Sequence, residues 1–190
     1  VRQALGAGDL HGVPQPAVDG VEPGRHHPQY RVVGDPADRC AAHAAGGPGV
    51  EWVPQMSFSR HCPAAALESW MAPMLDLGRF RTLDLSGDEV AQPIEAFAPL
   101  YCRAKAAGLM LKAHVGEWGT ADDVWRAVEV LELDEVQHGI AAADSPRVMR
   151  MLADAGVRLH VCPTSNVKLG RVATLSEHPI RRLYDAGVRV

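Results

Sequence analysis

"LMLKAHVGEWG", Leu109 to Gly119, passes from apolar residues into a histidine and a glutamate three positions apart with glycines around them. Leu109–Ala113 has the composition of a buried strand, and the residues up to Thr120 read as the turn into a helix. A strand that ends in polar, chemistry-bearing residues and runs straight into a helix is the repeating unit of parallel α/β sheets. Whether the other strands end in the same way decides the architecture.

Reading outward, "VEWVPQMSF" (50–58), "RTLDL" (81–85), "DEVQHG" (134–139) and "VRLHVC" (157–162) are further strands, and the final "VRV" begins a sixth. Helices are expected between them. One spans Pro63–Gly78, and a second buries Ile94, Phe97, Leu100, Tyr101 and Ala104 and stops at Gly108. A third starts at a capping-box pair, Thr120 with Asp123, and buries Val124, Trp125, Val128 and Leu131. A fourth opens at Ser145–Pro146, buries Val148, Met149, Met151 and Leu152, and ends at Gly156. The last opens at His178–Pro179 and ends at Gly187. Such alternation, with strands apolar enough for burial on both faces, implies a parallel sheet with helical crossovers.

An open doubly wound sheet and a closed (β/α)8 barrel both satisfy that pattern, and the polar residues discriminate. They gather after successive strands: Asp84 with Gly87 and Asp88, His114 with Glu117, His138, then Thr164, Ser165 and Asn166. A barrel brings all these strand ends to one mouth, whereas an open sheet concentrates its ligand site at one switch point. No glycine-rich phosphate loop follows the first strand. The expected fold is α/β, an incomplete (β/α)8 TIM-type barrel over residues 50–190, with about six of the eight strands of such a barrel recognisable.

Residues 1–49 form an irregular leader rich in Pro, Gly, Ala, Arg and His, without a sustained helix or strand period. Two readings stand beside each other for it, a frameshifted segment and a flexible, disordered extension. A formal charge of -4 over 190 residues offers no basic surface for phosphate backbones, so nucleic acid is not an expected partner. No apolar stretch reaches the roughly 18 residues a membrane span needs, and no basic leader with an apolar core opens the chain. No membrane association is expected, and the cytoplasm is the expected location. Cys40, Cys62, Cys102 and Cys162 lack CxxC spacing, which argues for reduced, packing cysteines.

Taken together and in order, "LDLSGDE", "KAHVGE", "VQHG", "CPTSNVKLG" and "HPIRRLYDAGVRV" resemble the adenosine deaminase family of zinc amidohydrolases, over roughly 50–190. The resemblance implies one Zn2+ at the barrel mouth and hydrolytic deamination of a small-molecule purine nucleoside or base, releasing ammonia. It implies that His114 is a metal ligand and that Glu117 is the acid that protonates purine N1 as oxygen attacks C6. His138 then orients the attacking oxygen and stabilises the charge that develops there. Asp84 and Gly87 belong to the loop that contacts the purine, and Ser165 approaches the substrate. Trp118 flanks the pocket, while His160 and His178 read as structural, the latter as a helix cap. Arg60 reads either as lining the mouth or as a structural ion pair.

The chain departs from the family pattern in its metal ligands. No HxH motif occurs among His11, His26, His27 and His43, and the eighth-strand aspartates are not found. Gln137 stands where the family more often has Gly. One histidine does not make a catalytic zinc site, which normally has three protein ligands. Little or no deaminase activity is therefore expected from this chain alone, and a catalytically inactive, purine-binding remnant is the alternative. Open barrel edges predict self-association. Which purine is used is not legible.

Overall fold

The computed structural model describes residues 53–190. The expectations for the leader, for residues 50–52 of the first strand, for Cys40 and for the histidines at 11, 26, 27 and 43 lie outside those residues. Five parallel strands form one sheet in the order of the chain: β1 (Gln55–Ser59), β2 (Thr82–Ser86), β3 (Met110–Val115), β4 (Glu135–His138) and β5 (Arg158–His160). Helices cross between them: α1 (Ala64–Asp76), α2 (Ala98–Ala106, preceded by a 3-10 turn at Ile94–Phe97), α3 (Ala121–Leu131) and α4 (Pro146–Ala155). After β5 come α5 (Pro163–Lys168) and α6 (Ile180–Asp185).

The local signals act as expected where the chemistry is local. Thr120 Oγ1 accepts the Asp123 N–H, and the Asp123 side chain accepts the Thr120 N–H, closing the capping box. Ser145 caps α4 by accepting the Val148 N–H, and Gly156 ends that helix in the left-handed region. The sixth strand is present as one parallel bridge, Arg158 with Arg189. The strand expected over 157–162 ends at His160, and the polar residues expected after it, Thr164, Ser165 and Asn166, lie in α5, with Cys162 at its N-cap and Pro163 at its first turn.

The strands are less uniformly apolar than expected. In β3 the burial alternates: Leu111, Ala113 and Val115 are buried, while Met110, Lys112 and His114 are less so. Leu111, Ala113 and Val115 join Leu83, Leu85, Val136 and Leu159 in the core that the helices cover, with Phe97, Leu100, Val124 and Leu152 among its members. The opposite face carries Ser57, Asp84, Lys112, His114, Glu135 and His160, joined by side-chain contacts from strand to strand. Lys112 Nζ lies 2.8 Å from Glu135 Oε2, and the same oxygen is 2.7 Å from His160 Nε2. His160 is thus structural in its contacts. A sheet with helices on one face and paired polar residues on the other is what an unclosed arc of a β/α barrel looks like.

Candidate active site

Parallel strands in chain order set their C-terminal ends along one rim, so loops distant in sequence become neighbours. Behind that rim, on β2, Asp84 is 1% exposed; it accepts the Ser57 hydroxyl at 3.3 Å and the His114 Nδ1–H at 3.1 Å. That contact engages Nδ1 of His114, an arrangement shared by metal ligands and oriented structural histidines. Burial disfavours the charged His114 ring, but the Asp84 carboxylate outweighs it and holds the pKa above the ordinary histidine value.

At the end of β4, His138 Nδ1 lies 3.2 Å from Glu117 Oε1. The His138 and His114 rings are 5.5 Å apart. Burial is the largest influence on His138 and lowers its pKa; the His114 ring adds to that, against the pull of the Glu117 carboxylate. His138 and Gly139 are both left-handed, with φ of 66° and 67°, a conformation that is strained for a residue with a side chain.

The structure therefore brings together four of the residues singled out in the sequence: Asp84, His114, Glu117 and His138. Gly87 joins them across a cleft of about 460 Å³ lined by Ser86, Gly87, Asp88, Glu89, His114, Glu117 and Trp118. Asp84 stands behind His114 and does not line the cleft. Ser165, on α5, is also not among the lining residues; its carbonyl accepts the Leu169 N–H. Trp118 is exposed at the cleft, with the Arg171 guanidinium 4.7 Å from its ring. A larger hollow of about 950 Å³ runs along β5 and the last turn, beside the uncovered sheet edge, and is lined by none of these residues. Arg60 is 3% exposed and hydrogen-bonded to the Glu89 carbonyl, which makes it a structural residue here.

Two residues were given no site role from the sequence. Glu89 sits in the loop after β2, and its carboxylate accepts the backbone N–H groups of Gly116 (2.7 Å), Glu117 (2.9 Å), Trp118 (2.9 Å) and Gly119 (3.2 Å). A carboxylate is well matched to four converging N–H groups just ahead of α3. Asn166, fully buried on α5, has Nδ2 2.9 Å from Glu117 Oε1 and 3.4 Å from His138 Nδ1. Asn166 was visible as a polar residue after a strand, and Glu89 as the last residue of "LDLSGDE", but neither carried a role there. Gly116 is required where it stands: φ is 74°, and a Cβ there would lie 2.3 Å from Val124 Cγ2.

The family model for adenosine deaminase matches residues 60–190. The chain belongs to the adenosine deaminase family. A Treponema pallidum protein assigned as an adenosine/adenine deaminase is 45% identical over 136 residues, which are 72% of this chain and 46% of that protein. An adenine deaminase from Arthrobacter aurescens superposes with a TM-score of 0.73 at 30% identity, covering 80% of this chain and 46% of the other. An amidohydrolase from Burkholderia ambifaria, solved with bound zinc, gives 0.66 at 27% identity over 79% and 42%. The deaminase-family chain thus spans about half the length of the relatives it matches, in keeping with an incomplete barrel. Among the described residues no group of three or more His, Cys, Asp or Glu side chains is arranged to hold a metal ion. No described helix is long and apolar enough to cross a membrane.

Proposed function

We propose that this chain supplies the proton-transfer side of a purine deaminase site, for hydrolytic removal of the exocyclic amine of a purine such as adenine or adenosine as ammonia. The observation that carries the reading is the 3.2 Å approach of Glu117 Oε1 to His138 Nδ1 beside His114, at the ends of adjacent strands and next to a cleft. In this reading Glu117 gives a proton to a ring nitrogen of the purine. His138 orients the attacking oxygen and disperses the charge that builds on it. Gly87, without a side chain, lets the ring approach the loop after β2, and Trp118 covers the open side.

The family's zinc, held by the Burkholderia ambifaria neighbour, would take His114 through Nε2, with Asp84 behind the ring. When bound, zinc supplies a nucleophile at neutral pH. The described residues do not complete a donor set for it, since one imidazole falls short of the usual three protein ligands.

The test is titration of the chain with adenine, followed by backbone NMR, with turnover of adenine and adenosine measured with and without added zinc. Adenine-induced shifts at Gly87, Glu117 and Trp118 support the reading; shifts confined to the β5 edge, or none, overturn it. Any turnover found should fall roughly 10²–10⁴-fold in Glu117→Gln, the usual worth of a general acid. Binding without turnover would make the chain a purine-binding remnant.

A further inference from the structure

His178 precedes α6 and is 6% exposed. Its Nδ1 accepts the backbone N–H of Ile180 at 3.1 Å. A backbone N–H can only donate, so Nδ1 carries no proton and the neutral ring must carry it on Nε2. Burial lowers the pKa of this ring, which favours the neutral form. Nε2 lies 3.2 Å from Oδ1 of Asn166. A donor on that side requires the amide oxygen there, which fixes the orientation of an amide that electron counts alone leave ambiguous. The Asn166 NH2 group consequently donates to Glu117 Oε1 at 2.9 Å and lies 3.4 Å from His138 Nδ1, which accepts from it when that nitrogen carries no proton.

We propose that Asn166 is a positioning residue, clamped by His178, that holds the Glu117 carboxyl group and the His138 imidazole in one mutual geometry. The inference rests on the reading of Glu117 and His138 as the reacting pair. Its partners lie 49, 28 and 12 positions away, so Asn166 serves the junction of three β/α units and not the local needs of α5. An amide neither gains nor loses a proton near neutrality. It therefore offers Glu117 a constant donor while the acid itself cycles between carboxyl and carboxylate, and a hydrogen bond to the charged form is the stronger of the two. The acid is regenerated in place without a change in its surroundings.

The experiment is side-chain 15N NMR of the full chain with labelled histidine and asparagine. The wild-type measurement needs no variant: His178 is expected in the neutral Nε2–H form, with a slowly exchanging Asn166 amide. In His178→Ala the Asn166 amide is free to rotate, and the His138 ring-nitrogen signals should shift while the β1–β4 backbone signals hold. His178→Gln, which returns a side-chain N–H near the place of Nε2, should restore them. Where adenine is turned over, His178→Ala should lose about a hundred-fold in kcat with KM little changed, the effect of a misplaced catalytic group. An Nδ1–H form of His178, or unchanged His138 signals in His178→Ala, overturns the inference. Failure of the functional reading looks different: the adenine-induced shift at Glu117 is then missing, whatever the form of His178.

Discussion

Replacing Glu89 with glutamine is the sharpest test of how the loop carrying Glu117 is built. The two carboxylate oxygens of Glu89 accept four backbone N–H groups, two each, from residues 116–119. Glutamine keeps one oxygen and turns an NH2 group toward the other pair, so two donors lose their acceptor. Hydrogen bonds to charged groups contribute about 1.5–3 kcal/mol each. Trp118 is exposed and its N–H can turn to water, so the lower end applies and the loss comes to about 3 kcal/mol. The countercharge of buried Arg60 also disappears, which adds in the same direction. Urea denaturation followed by tryptophan fluorescence reads the total, and amide hydrogen exchange locates it. Exchange at 116–119 should accelerate well beyond that of the β3 amides. A change within about 0.5 kcal/mol, the range of a neutral surface substitution, with exchange at 116–119 unaltered, would refute the argument.

Gly116→Ala should cost about 3 kcal/mol, from roughly 1–2 for a left-handed alanine and 1–3 for the overlap with Val124, and Val124→Ala should recover part of it in the same denaturation assay. Thr120→Ala should cost about 1 kcal/mol through loss of the α3 cap, with fraying at Ala121–Val124 seen by hydrogen exchange. In an NMR titration His114 should protonate at a pH above the ordinary histidine value, and His138 and His178 at a pH below it. For His178 the unfolded chain takes up the proton first as pH falls, so its contribution is destabilising below the unfolded pKa; His178→Gln should flatten the acid side of the stability profile.

The parts of this molecule legible in the sequence are those whose cause lies within a few residues. Thr120 and Asp123 close a box across three positions, Ser145 caps a helix that Pro146 begins, and the run from Leu109 declares a strand by composition. The glutamate and histidines of the site were legible because they sit at the ends of two adjacent strands, His114 and Glu117 at β3 and His138 at β4, where barrel geometry promises a shared mouth. Glu89 was not, because its partners are backbone groups 27–30 positions away that have no residue identity to notice. α5 was missed because its six residues are proline-led and polar or β-branched, a composition with weak helix preference. The polar face of the sheet was also under-read, since Lys112 and Glu135 look costly to bury until their pairing across strands is known.

The loan of one loop's carboxylate to the next loop's backbone has a further consequence for how such proteins diversify. Segments 86–92 and 116–119 cannot drift separately: an exchange of the former that loses the acid at 89 also deforms the turn presenting Glu117. Chimeras between relatives should therefore tolerate crossover points on either side of this pair of loops and reject those that fall between them.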